Sequence, residues 1–100
     1  MPLSNDGAAL RLKDDDDVAV VLRPLEQGDA VRFGETAVIA AAAIPSGHKI
    51  ALRAIPSGAL IHKYGQVIGR ASTPIASGEH VHVHNVEGTR GRGDLAEAAS

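Results

Sequence analysis

A four-residue signature recurs along this chain and limits what it can fold into: an apolar residue, two further residues, then glycine. It reads Leu25-Glu26-Gln27-Gly28, Ile44-Pro45-Ser46-Gly47, Ile55-Pro56-Ser57-Gly58 and Ile75-Ala76-Ser77-Gly78, with the glycines 19, 11 and 20 residues apart. Glycine enters positive-φ conformations that cost other residues steric energy, and proline restricts the approach to a turn. Short apolar segments follow these turns: Lys49 to Leu52, Ala59 to Ile61 and Val81 to Val83. The uneven spacing excludes a solenoid of equal repeats. It predicts short strands folded back repeatedly through tight turns, an all-β chain.

The material for a core is restricted. One Phe, one Tyr and no Trp occur in 100 residues, so the interior must be built from Val, Ile, Leu and Ala. A single domain of this size has little area for a deep private pocket, which favours a partner. Ten Lys or Arg against twelve Asp or Glu leave a formal charge of −2, which provides no field for nucleic acid or anionic lipid. The absence of cysteine excludes disulfides and thiolate metal sites. No basic stretch followed by an apolar run opens the chain, and the longest apolar stretch, Ala37 to Ile44, is far below the roughly 20 residues of a membrane helix. The expectation is a cytoplasmic protein with neither a nucleic-acid nor a membrane partner.

Residues 1–13 read as a flexible N-terminal arm, 14–86 as the folded domain and 87–100 as a flexible C-terminal tail. Asp14-Asp15-Asp16-Asp17 reads as a solvated turn, because adjacent carboxylates repel. Val18 to Leu22 is β-branched and predicts a buried strand, and Arg32 to Ala43 predicts two short strands around Gly34-Glu35. Helical character is confined to Asp94 to Ala99, too short to be stable alone. Arg92-Gly93-Asp94 spells an adhesion tripeptide, a reading with nothing else in the chain to favour it.

Three groups carry chemistry. In Glu79-His80-Val81-His82-Val83-His84-Asn85, strand alternation would put three imidazoles on one face and Val81 and Val83 on a core face. Such a cluster suits proton transfer, substrate hydrogen bonds or metal ligation, or is simply a polar surface strand. Gly47-His48-Lys49 joins a turn to an imidazole and an ammonium able to receive a carboxylate. In His62-Lys63-Tyr64-Gly65-Gln66-Val67-Ile68-Gly69, Gly65-Gln66 predicts a hairpin turn presenting Lys63 and Tyr64 at its tip.

At these three groups, together with Asp17-Val18-Ala19-Val20, the chain resembles the small N-terminal module of the altronate/galactarate dehydratase family. That module belongs to the SAF superfamily, with a β-clip fold, and the likeness runs from Leu12 to Asp94. In many relatives the module precedes a much larger domain, so the resemblance implies a separate large catalytic dehydratase subunit whose active site this chain completes, the chain being inactive alone. The small subunit of (2R)-sulfolactate sulfo-lyase is a close alternative, since both reactions eliminate a group β to a carboxylate. A non-catalytic sugar-acid-binding or assembly module is a third reading, and self-association in isolation stays open.

The resemblance further implies a divalent metal, iron or manganese, held mainly by the partner. On the matched motifs, His48, His82 and His84 are the candidate catalytic groups. Lys49 and Lys63 would neutralise the substrate carboxylate, and Tyr64 and Asn85 would hydrogen-bond its hydroxyls. His62 and His80 are weaker candidates.

Overall fold

The computed structural model describes residues 8–11, 15–33 and 36–88. Their regular elements are all strands: β1 (Ala9–Leu10), β2 (Val18–Val21), β3 (Ala30–Phe33), β4 (Thr36–Ile39), β5 (Lys49–Ala51), β6 (Leu60–Lys63), β7 (Gln66–Ala71), β8 (His80–Val81) and β9 (Val86–Glu87). They form a four-stranded sheet β1-β2-β5-β8, a hairpin β3-β4 and a three-stranded sheet β6-β7-β9. Among the described residues, no helix is long and apolar enough to cross a membrane.

The irregular glycine spacing conceals an internal duplication. Leu25 pairs with Ile44 and Ile55 with Ile75, each through two reciprocal main-chain hydrogen bonds. Around each pair the bonding repeats: Gly28 N–H donates to Ala40 and Gly58 N–H to Ala71, while Gly47 N–H donates to Val21 and Gly78 N–H to Ala51. Thus the first and third turns flank one end of each hairpin and the second and fourth the other. The two halves are shifted by one residue because a bulge lies between Ile61 and His62 in the β6–β7 ladder.

Each recurring glycine has a φ between 86° and 95°, and the residue after it donates its N–H to the carbonyl of the residue two before it. These are type II turns with glycine at the third position. In two of them the first residue has a free N–H, and an acid after the glycine accepts it: Glu26 N–H to Asp29 and Ala76 N–H to Glu79. In the other two the first residue is Pro45 or Pro56, which has no N–H. The position after glycine is therefore released from capping, and at one of these turns it is His48.

The core follows the duplication. One cluster packs Val21, Leu25, Val31, Phe33, Ile44 and Ile50; the other packs Val18, Ile55, Ile61, Ala71, Ile75 and Val81. Strands β2 and β5 contribute to both, which joins the halves into one body. Each fully buried Val or Ile contributes about 1.5–3 kcal/mol of transfer free energy, so many modest side chains replace the missing aromatics.

Several expectations need correction. Ala8 and Ala9 are buried and β1 pairs with β2, so Ala8, Ala9 and Leu10 are not part of a loose arm; residues 1–7, 12 and 13 lie outside the described residues. Asp16 is fully buried rather than solvated; Asp14 lies outside the described residues. The second strand of the Arg32–Ala43 segment ends at Ile39, and Ala41, Ala42 and Ala43 are exposed. The Gly34-Glu35 turn itself is outside the described residues. The β6–β7 turn is Tyr64-Gly65, with φ of 55° and 80°, not Gly65-Gln66, because Lys63 pairs with Gln66. Val86–Glu87 is a strand on β7, so Glu87 belongs to the folded domain and not to the expected tail, and residues 89–100, on which the adhesion tripeptide and the short helix fall, are outside the described residues.

Candidate functional site

The imidazoles are brought together by sheet order. Strand β5 lies between β2 and β8, and Ile50 faces His80 across the β5–β8 ladder. His48, just before β5, therefore meets His80, which opens β8. His48 Nδ1 and His80 Nε2 are 2.8 Å apart, one ring donating and the other accepting. His82 stacks on His48 with ring centroids 3.7 Å apart and 15° between planes. His84 is exposed, tilted against His80 at 5.0 Å.

The expected strand over His80–His84 stops after Val81. Asn85, only 6% exposed, accepts the His82 N–H at 3.0 Å and donates to the His80 carbonyl at 2.9 Å. Its amide thereby replaces the next rungs of the ladder with a tight turn. Val83 consequently points to solvent at 80% exposure and is not a core residue beside Val81. Asn85 is a positioning residue for the imidazoles, with both ends of its amide bonded to main chain, and it also borders a recess that it shares with His80 and His84.

Lys49 and Lys63 line one recess of about 200 Å³ with His82, Ile68, Val83 and Val86. No carboxylate is among these lining residues. Burial, then the charge of Lys63, lowers the Lys49 pKa. Two ammoniums and an imidazole converging on one apolar-floored recess suit an organic anion. His80 and His84 instead face a second recess of about 450 Å³ beside Thr73, Glu79 and Ala42.

Lys63 is held in place by acids distant in sequence. Its hairpin tip is anchored by Asp16, whose carboxylate accepts the N–H groups of Tyr64 and Gly65 at 2.9 and 2.8 Å. Asp17 accepts both the main-chain N–H and Nδ1 of His62, at 2.8 and 2.9 Å, and lies 3.6 Å from Arg53. His62 is therefore a strut rather than a member of the cluster. The Tyr64 ring lies 5.1 Å from Lys63 Nζ, and its pKa is raised by burial and then by Asp16. Asp16 and Asp17 are thus structural: main-chain donors at the hairpin need acceptors, and these two carboxylates supply them despite their mutual repulsion.

The cluster also fits a divalent transition ion. His48, His80 and His82 offer ring nitrogens all within 4.8 Å of one another, and His82 Nδ1 is buried without a hydrogen-bond partner. Burial and then the neighbouring imidazoles and Lys49 lower the pKa of His80; burial, then His48, Lys49 and His84, lowers that of His82. Both shifts favour the neutral form that ligates metal. An all-imidazole donor set suits iron or zinc better than manganese.

A family model described as the altronate/galactarate dehydratase SAF domain matches residues 7–89. The chain is 37% identical over 78 residues to an altronate dehydratase of Bacillus subtilis (strain 168), covering 78% of this chain and 16% of that protein. It is 44% identical over 70 residues to an altronate dehydratase of Escherichia coli (strain K12), covering 70% and 14%. It is also 50% identical over 48 residues to a (2R)-sulfolactate sulfo-lyase subunit alpha of Chromohalobacter salexigens, covering 48% and 51%. The chain thus spans about one-sixth of the altronate dehydratases it matches and about half of that sulfo-lyase subunit.

Proposed function

This chain belongs to the SAF-domain family of altronate/galactarate dehydratases, and on that premise we propose that it completes the active site of a large catalytic dehydratase subunit acting on a sugar acid. One observation carries the reading: Lys49, Lys63 and His82 converge on a single recess whose lining includes no carboxylate. The two ammoniums would hold the substrate carboxylate and share its charge, which grows when the neighbouring carbon loses its proton.

In the elimination, the C–H bond next to the carboxylate breaks and its electrons form the enol double bond. The C–OH bond one carbon further breaks, and the hydroxide leaves as water once protonated. The enol then tautomerises to the keto acid. His82, in the recess, with His48 stacked on it, would move a proton at the reacting carbon or hydroxyl as long as these rings are not taken up as metal ligands; His84, exposed beside His80 on the second recess, is a proton-transfer group at longer reach. Tyr64 would hydrogen-bond a substrate hydroxyl. A divalent iron or manganese, when bound, supplies Lewis-acid stabilisation of the enediolate, with the large subunit completing its coordination. Alone, the chain is expected to be inactive, since one shallow recess leaves most of a sugar acid in water.

The runner-up is elimination of sulfite from sulfolactate, favoured by the identity to sulfo-lyase alpha subunits. Co-expression with a large subunit and assay on altronate, galactarate and sulfolactate separates the two. Lys63→Met is expected to raise KM at least about tenfold in the complex, the loss of one charge-assisted contact. Unchanged kcat and KM in both Lys49→Met and Lys63→Met would remove the recess from the reaction. A complex that binds sugar acids without turnover would return the non-catalytic binding module.

A further inference from the structure

We infer that His48, His80 and His82 form a site for a divalent transition-metal ion that this chain loads with its own side chains. Ligation at about 2.0–2.1 Å puts neighbouring nitrogens roughly 3 Å apart. The pair His48 Nδ1 and His80 Nε2, at 2.8 Å, already has that spacing. All three rings offer donors within 4.8 Å, a separation that small side-chain rotations close.

The placement comes from three separate devices. The Pro45 turn frees the position after Gly47, so His48 is not used as a cap as Asp29 and Glu79 are. Pairing of β5 with β8 sets His80 beside it. The Asn85 amide reverses the chain after Val81 and folds His82 over the ring of His48. Without an ion, His82 Nδ1 is a buried polar atom lacking a partner, a state proteins seldom keep without use. Imidazole donors select transition ions over magnesium and calcium, which prefer oxygen.

The inference extends the lyase reading and rests on it only for the use of the ion, because binding is measured without substrate or partner. The untagged 100-residue chain is titrated with Co(II) and with Zn(II), followed by calorimetry and visible absorption. The expected result is saturable binding of one equivalent, undisturbed by millimolar magnesium. His48→Gln, His80→Gln and His82→Gln should each weaken it at least about tenfold, and His84→Gln should not. Because a variant can lose its fold, imidazole nitrogen resonances of the wild-type chain are recorded alongside. Zinc should shift those of His48, His80 and His82 and leave His62 in place. Absence of saturable binding, or equal shifts at all five histidines, overturns the site. Metal binding by the chain, with no lyase activity on any of the three acids once it is co-expressed with a large subunit, would keep the site and overturn the reaction instead.

Discussion

The buried carboxylate of Asp16 accepts the N–H of Gly65 at 2.8 Å, across nearly half of the chain. Its second oxygen takes the Tyr64 N–H, and the Arg53 guanidinium binds the Asp16 carbonyl. One acid thus anchors the hairpin tip from which Lys63 reaches the recess. Asp16→Ala strands two donors and is expected to cost about 3 kcal/mol, lowering Tm by roughly 12 °C or more. Asp16→Asn keeps one acceptor and should cost about half as much. Urea denaturation of the two variants checks this, and an Asp16→Asn chain as stable as wild type would refute the anchor.

The four turn glycines are not equivalent. A Cβ on Gly28, Gly47 or Gly58 meets no atom, whereas on Gly78 it would strike the Ile39 carbonyl oxygen, because Ala41 N–H binds the Gly78 carbonyl at 2.8 Å. Gly47→Ala and Gly58→Ala should each cost about 1–2 kcal/mol, the ordinary penalty of positive φ. Gly78→Ala adds the collision and should exceed about 3 kcal/mol. Equal losses at the three sites, measured by thermal unfolding, would contradict the packing of this turn on β4.

Proline and an acidic cap are alternative solutions at these turns. Glu79→Ala should cost about 0.5–1 kcal/mol by stranding the Ala76 N–H. In an Ala76→Pro background that N–H is gone, as at Pro45 and Pro56, and the same substitution should cost nothing. A double-mutant cycle measures this coupling. Additive effects would mean that the bond contributes nothing.

Legibility followed the range of the interactions. The turn glycines and the strands Val18–Val21 and Lys49–Ala51 are announced by neighbouring residues, since positive φ and β-branched runs are local signals. The duplication was present in the glycine numbering but becomes visible only when alternate turns are compared. Contacts between distant residues carried no signal: nothing near Asp16 points to Tyr64, and nothing near His48 to His80. The alternation argument for His80, His82 and His84 assumed a continuing strand and failed where the side chain of Asn85 ends it. His80, the weakest of these candidates from sequence, is the ring that the sheet sets beside His48.

Tyr64 can be titrated directly, because the chain holds one Tyr and no Trp. Burial and then Asp16 raise its pKa above the ordinary 10.0. With the folded value raised, the phenol's contribution to stability is fully present below about pH 10 and is lost as pH rises through the folded value. Phenolate absorbance should therefore have its midpoint above 10 in the native chain and near 10 in denaturant. The stability difference between wild type and Tyr64→Phe should stay constant to about pH 10, then move against the wild type. A native midpoint at or below the denatured one would contradict the environment described for the hairpin tip.

Val81 and Val83 distinguish a turn from a continuing strand. Val81 is fully buried and Val83 is 80% exposed, although alternation would place them on one face. Val81→Ser introduces a hydroxyl into the second core cluster and should cost about 3 kcal/mol. Val83→Ser should stay within about 0.5 kcal/mol of wild type. Asn85→Ala removes the amide that holds the turn and should cost about 1–3 kcal/mol. It also releases His82 from His48, so the chemical shifts of both rings should move even while the fold persists. A large penalty at Val83 would restore the extended strand and separate the imidazoles that the turn now stacks.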